Sequence, residues 1–289
     1  MVKQPSAPII FDIARWRCRW SRYAIGGDSV GVADENFVFQ LALADLKERL
    51  QLITRDFSHV AIFTPFPFTQ KFPNIDHITF VGPLQADGFD KVIKDDEYWP
   101  FEENSLDLVI DLMGLGLVNN VQGMLMQIKQ SLKADGLFLS GFLGENSLIE
   151  LRHALLFAES LMQQGAAMRV HPMINLQQFG SLLQHAGFAL PVVDIESYQL
   201  AYGGYDILLR ELRRCGLANC LKDTKSHPLS THIIKQAEKY HKEHYPHSDK
   251  EDKFMLSLDF IWGSGWKPHH SQQQPLAPGS AQISLKQVL

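Results

Sequence analysis

The sequence predicts an α/β protein built on a mostly parallel, doubly wound sheet with helices on both faces. Three observations carry this. From Val60 onward, short apolar runs alternate with segments of helical composition, the order expected when each crossover helix returns the chain to the same sheet. The run "SLDLVIDLMGL" (105–115) is apolar beyond its opening residues except for Asp111, as in a strand buried on both faces. The late segment "KFMLSLDFIWGSGW" (253–266) alternates apolar with polar residues, which predicts an antiparallel strand added at the edge with one face in solvent.

The elements follow in order. "IARWRCRWSRY" places Trp16, Trp20 and Tyr23 at i, i+4, i+7 on one helical face, and Arg15, Arg19 and Arg22 on the adjacent one. "FVFQLALADLKERLQLI" is dense in helix formers. "HVAIF" and "HITFVG" read as strands, and "DKVIKDD" as a weaker third. "NNVQGMLMQIKQSLKADG" reads as a helix capped by Asn119 or Asn120 and stopped by Gly136. "LFLSGFL" is a strand, "NSLIELRHALLFAESLMQQ" a helix capped by Asn146 or Ser147, and "NLQQFGSLLQHAGF" a helix ending at Gly187. A strand through "PVVDIESYQLAY" and two helices, "GYDILLRELRRCGLANCL" and "STHIIKQAEKYHKEHY", complete the set. Residues 1–34 divide off as an N-terminal helical lid and residues 35–289 as the main domain.

Bulk properties narrow the function. The net charge of −5 argues against a general nucleic-acid binder. Cys18, Cys215 and Cys220 are no disulfide framework, which favours a reducing, cytoplasmic setting. No apolar run approaches the ~20 residues of a membrane span, and "MVKQPSAPIIFD" lacks the apolar core of a signal peptide. His241, His244 and His247 are spaced i, i+3, i+6, but Pro246 interrupts the helix, so a solvated helix end is expected and no metal site.

Several blocks carry a family resemblance. "KDDEYWPFEENSLDLVID" has an acid pair, an aromatic, Pro-Phe, a short turn and a buried strand, and resembles the class I S-adenosylmethionine-dependent methyltransferases. "QIKQSLKADGLFLSGFLGENSLIELRHAL", "GFALPVVD", "LLRELRRCGLANC" and "GWKPHHSQQQPLAPGSA" look like one branch of that family. The branch is that of methyltransferase-like assembly factors of respiratory complex I, in mitochondria and alphaproteobacteria. It is more distantly similar to the malonyl-carrier-protein methyltransferases of biotin synthesis. The match runs from about Phe11 to Ala281. It implies a Rossmann-like, seven-stranded sheet, S-adenosylmethionine as cofactor, and a C-terminal tail that belongs to the domain.

The chain departs from the family where the cofactor would be held. The family's first loop is glycine-rich, because the backbone must turn with positive φ and approach the ligand closely. Here Thr64–Thr69 contains no glycine, and Pro65 and Pro67 have no N–H to donate. Phe66 and Phe68 read either as a loop closed on its own core or as an aromatic pocket for another ligand. The family's ribose-binding acid is replaced by Gly82-Pro83, with Asp87 and Asp90 nearby. The branch's Leu-His-Trp-Val-Asn-Asp stretch has become Leu115-Gly116-Leu117-Val118-Asn119-Asn120, without the groups best suited to acid–base work.

The resemblance therefore offers Thr64, Pro65, Asp95, Asp96 and Asp111 as cofactor-binding candidates, with Asp95 at the adenine-binding position. Asp95–Asp96 also reads as a solvated turn or helix cap. Glu150 and Arg152 either pair near the site or lie on the surface without contact. No catalytic residue is identified. Two functions are expected. One is a methyltransferase acting on, or assembling, a protein partner such as a complex I subunit. The other is a non-catalytic scaffold of the same fold that binds its partner without cofactor. Fold alone does not choose between them.

Overall fold

The computed structural model describes residues 9–24 (backbone alone over 20–24), 33–83, 88–93, 97–161, 165–222, 228–249 and 252–273. A helix α1 (Ile13–Ala24) precedes α2 (Phe37–Gln51), β1 (Phe57–Phe63), β2 (Ile75–Gly82) and the short β3 (Lys91–Val92). Then come β4 (Leu106–Leu112), α3 (Val121–Ser131), β5 (Leu132–Leu143), α4 (Ile149–Ser160) and α5 (Leu176–Ala186). The chain continues with β6 (Ala189–Tyr202), α6 (Tyr205–Arg214), α7 (Thr231–His244) and β7 (Phe254–Trp266).

The strands form one seven-stranded sheet in the order β3-β2-β1-β4-β5-β7-β6. β1, β2, β3, β4 and β5 pair in parallel, while β7 is antiparallel to both β5 and β6. This is the Rossmann-like sheet expected from the sequence, with its one antiparallel strand lying a place in from the edge, because β6 is outermost. There is a second difference. β7 has no solvated face, because Phe254, Leu256, Leu258, Phe260 and Trp262 pack into one core layer and Ile261 into the other.

The sheet divides the core by strand alternation. Val60 and Ile62 of β1 and Leu108, Ile110 and Leu112 of β4 face one layer, with α2, α4 and β7 side chains. Ala61, Phe63 and Val109 face the other, with Met124, Leu125 and Ile128 of α3 and Phe179 and Leu183 of α5.

Local chemistry sets the helix ends. Asn120 caps α3 by accepting from Gly123 N, and Asn175 forms a capping box with Gln178 at the start of α5. Gly187 ends α5 at φ 80°, the left-handed position that glycine takes at least cost. Two expected boundaries move. Gly136 does not stop α3; the helix ends at Ser131 and Gly136 lies inside β5. The residue before α4 is Leu148, at φ 59°, while Ser147 Oγ is drawn to Asp259 O and accepts from Asp259 N. Tertiary bonds to β7 outcompete the local cap.

Candidate functional site

The carboxyl ends of β1, β2, β3 and β4 share one edge of the sheet, where ligands of such folds sit. β1 runs into Thr64, which is fully buried. Thr64 N donates to Val81 O at 3.0 Å, and its hydroxyl both accepts from Phe66 N and donates to Phe66 O, each at 3.2 Å. The loop is thus closed by its own side chain. Phe66 and Phe68 are buried and pack on Phe39 of α2, with ring centroids 5.1 and 5.7 Å apart. Phe68 also meets Phe80 of β2 at 5.0 Å. The aromatic loop is core, although Pro65 and Phe66 also face a cavity.

At the end of β2, the ring of Phe89 lies over Gly82, and a Cβ built there would fall 2.5 Å from it. Arg17 of α1 donates from its guanidinium to the carbonyls of Pro83 and Ile93, the residues that follow β2 and β3. Asp90 accepts from Phe80 N. Asp87, Asp95 and Asp96 lie outside the described residues. Glu97, which follows them at φ 53°, accepts from Asn119 N at 2.6 Å and Asn120 N at 2.8 Å.

Asp111 is fully buried one residue before the end of β4. Its carboxylate accepts from Leu115 N at 2.8 Å and from Ser140 Oγ at 2.6 Å, so it ties the β4 turn to β5. Burial, opposed by these bonds, raises its pKa to about 7. The turn passes Gly114, where a Cβ would meet the ring of Phe63 at 2.6 Å, and Gly116, where a Cβ would have nothing within 4 Å. Asn119 Oδ1 accepts from both Ile10 N and Phe11 N at 2.7 Å, holding the N-terminal segment across the strand ends. That segment is fixed further along: Phe11 bridges Leu221, Trp16 Nε1 donates to Gly216 O at 3.0 Å, and Arg15 and Arg19 donate to the carbonyls of Leu221 and Asn219. Arg15 and Arg19, from the helical face beside the tryptophans, thus bind backbone carbonyls.

Two cavities flank this segment. The larger, about 1080 Å³, lies between the loop after β1, the β4 turn, the segment before α5 and the end of α6. Among the described residues that line it none is Asp, Glu, Lys or Arg, and the titratable ones are His171, His185 and Cys215. Burial pushes the Cys215 thiol up to about 12, far from a nucleophilic thiolate. Burial and the charge of Arg152 lower the His171 imidazole to about 4. The smaller cavity, about 560 Å³, is lined by Arg17, Phe63, Pro83, Ile93, Glu97 and Gln127, among others. Phe11 and residues 117–120 line both.

The fit to S-adenosylmethionine can be tested group by group. The loop after β1 offers a buried hydroxyl and two prolines, and its Phe66 N–H is already bonded. The place of a ribose acid is under the Phe89 ring. Asp111 is spent on the β4 turn and on Ser140. The described residues do not supply the polar groups with which the family is expected to hold this cofactor.

Other flagged residues are structural. His241 is fully buried, not solvated: its Nε2 lies 2.7 Å from Met255 O and its Nδ1 3.0 Å from Tyr205 Oη. Glu150 is buried and accepts from Ser257 N and Oγ, so it does not pair with Arg152. Among the described residues no group of three His, Cys, Asp or Glu is placed to share a metal ion. Lys267, at the start of the tail, donates to Asn104 Oδ1 and to the carbonyls of Gln130 and Leu132, and Gln272 donates to Asp135. The tail is docked as far as Gln272; residues 274–289, which carry the rest of the expected block, lie outside the described residues. Arg17, Phe89 and His171 carry no motif, and sequence patterning did not single them out.

Comparisons with known proteins bear on this site. No protein-family model matches the chain. It is 35% identical over 194 residues to the mitochondrial arginine-hydroxylase NDUFAF5 of Danio rerio, an alignment covering 67% of this chain and 60% of that protein. It is 32% identical over 166 residues to the putative methyltransferase RP459 of Rickettsia prowazekii, covering 56% of this chain and 74% of that one. Among solved structures, a putative methyltransferase of Bacillus halodurans overlays 77% of this chain and 98% of its own at 10% identity, with a TM-score of 0.49.

Proposed function

We propose, from the premise that this chain belongs to the class I S-adenosylmethionine-dependent methyltransferase superfamily beside these relatives, that it works as a partner-binding protein with weak or absent cofactor binding. The partner is a protein, with a subunit of respiratory complex I the candidate that the resemblance implies. One observation carries the reading: at the loop after β1 and the ends of β2 and β3, where the cofactor is expected, the described chain fills the space with its own side chains. Phe66 is in the core, Phe89 covers Gly82, and Arg17 takes the carbonyls after β2 and β3. In this reading the described part of the 1–34 lid, residues 9–24, is a fixed cover over the main domain, and Thr64, Pro65 and Asp111 serve structure. The setting proposed is a reducing, cytoplasmic one, as three sparse cysteines favour. No described helix is long and apolar enough to cross a membrane.

A second reading keeps the chain an enzyme with a variant pocket acting on the same partner. It is favoured by the cavity that persists beside Pro83 and Ile93. Calorimetric titration with S-adenosylmethionine and S-adenosylhomocysteine separates the two. The scaffold reading expects no heat and no thermal stabilisation at millimolar ligand. A micromolar dissociation constant, about −8 kcal/mol, overturns it and turns the search to a methyl acceptor.

A further inference from the structure

The larger cavity combines size with an absence of charge. Its volume, about 1080 Å³, is at the upper end of small-molecule sites, ~300–1,000 Å³. Phe11, Phe66, Met113, Leu143 and Leu217 give it apolar walls, drawn from the N-terminal segment, the loop after β1, the β4 turn, the end of β5 and the segment after α6. No Asp, Glu, Lys or Arg is among the described residues that line it. Burial keeps the Cys215 thiol protonated at neutral pH and, with the charge of Arg152, keeps the His171 imidazole neutral.

An ion moved into such a space loses its water and meets no opposite charge, so ions of either sign are disfavoured. An apolar body gains by leaving water, in proportion to the area it buries. The polar groups on the wall are neutral too. Among its carboxamides, Asn119 holds Ile10 N and Phe11 N, Asn120 caps α3, and Asn175 and Gln178 form the capping box of α5. The carboxamides of Gln122 and Gln177, in the first turns of α3 and α5, make no hydrogen bond among the described residues and are left to meet a ligand. At Gly116 the wall is bare: a Cβ there would have nothing within 4 Å, and the backbone is not left-handed.

We propose that this cavity binds an uncharged, largely apolar small molecule, its body along Phe66, Met113 and Leu143 and a neutral polar group within reach of Gln122 or Gln177. The site selects by lack of charge: an ion built on the same skeleton is turned away. Phe11, whose N–H Asn119 holds, is the wall that the N-terminal segment supplies, so the site is complete only with that segment in place. This goes beyond the partner-binding reading and does not rest on it. The test below runs without S-adenosylmethionine, so its failure leaves that reading standing.

The test is a fluorescence titration of the full chain at neutral pH with two probes. N-phenyl-1-naphthylamine is neutral, and 8-anilino-1-naphthalenesulfonate is the same ring system carrying a sulfonate. The neutral probe should bind saturably, with one site per chain, and about ten-fold or more tighter than the sulfonate, equivalent to roughly 1.4 kcal/mol. G116F sets a ring in the bare space at the wall. It should weaken the neutral probe by a similar factor while its urea midpoint stays close to that of the natural protein. A neutral probe that does not saturate overturns the proposal, as does a sulfonate that binds equally well. So does neutral-probe binding that is unchanged in folded G116F, since the probe is then held elsewhere. If G116F does not fold, the smaller G116L makes the same comparison.

Discussion

The ring of Phe89 occupies the space that a side chain at residue 82 would need: a Cβ on Gly82 would stand 2.5 Å from it. An acid cannot be restored there by one substitution. G82D alone should destabilise the protein by about 1–3 kcal/mol, the usual cost of overpacking, and should bind no S-adenosylmethionine. Adding F89A should recover much of that loss, a coupling that urea denaturation of the two single variants and the double variant measures. With P65G and P67G as well, the loop regains two N–H donors. Calorimetry on that four-fold variant should then detect S-adenosylmethionine if Phe89 and the prolines are what exclude it. A folded four-fold variant that binds nothing means that the cleft lacks more than these groups.

Much of this fold was legible from residue order because the strands are strongly apolar and the stops are glycine or asparagine. Gly187 sits where a left-handed residue ends α5, and Asn120 caps α3. The misreadings share a cause. Gly136 looked like a helix stop, yet β5 begins before it through pairing of Leu132 with Leu106, a contact that local composition does not encode. His241 looked solvated because its helix is polar, but Tyr205 and Met255 arrive from elsewhere in the chain to bury it. At the site, the loss of the glycine loop was plain from Thr64–Thr69. What filled its surroundings was not, because Arg17 and Phe89 act through tertiary placement.

Gly114 and Gly116 sit two residues apart in the β4 turn and should respond oppositely to alanine. At Gly114 the added methyl meets the ring of Phe63 at 2.6 Å, and Phe63 is itself held edge-on against Trp99 at 6.0 Å. G114A should cost about 1–3 kcal/mol. At Gly116 the methyl enters open space at the wall of the larger cavity, so G116A should lie within about 0.5 kcal/mol of the natural protein. Paired urea melts check the contrast. Equal losses at both positions contradict this turn geometry.

Asn119 is the clasp on the N-terminal segment. One carboxamide oxygen accepts from two consecutive backbone donors, Ile10 N and Phe11 N. N119L leaves both without that acceptor, at a cost of about 1–3 kcal/mol for each donor kept from water. The segment should loosen while the sheet stays intact. Hydrogen exchange at Ile10 and Phe11 should quicken by one to two orders of magnitude, roughly what 1.4–2.8 kcal/mol of opening free energy gives, with β1 and β4 amides unchanged. Unaltered exchange at Ile10 and Phe11 would show that Trp16 and the arginines hold the segment without Asn119.

Two buried groups give the stability a pH dependence of opposite sign. Asp111 has its pKa raised by burial from 3.8 to about 7. Between these values the folded state binds its proton more tightly than the unfolded chain, so this group's contribution is full below pH ~4 and lost as pH rises towards 7. His171 has its pKa lowered by burial and Arg152 from 6.5 to about 4. There the unfolded chain binds the proton more tightly, so stability is lost as pH falls from about 6.5 to about 4. His241, lowered chiefly by burial, acts in the same sense as His171. The two slopes oppose each other across the acid range and partly cancel in the natural protein. D111N cannot ionise at 111, so its stability should climb more steeply from pH ~4 to ~6.5 and not decline towards 7. H171F removes part of the opposing slope, and its stability should fall more clearly as pH rises through the same range. Urea midpoints across this interval for the natural protein and both variants measure the signs. A D111N profile parallel to that of the natural protein would mean that Asp111 is ionised in the fold, held so by Leu115 N and Ser140.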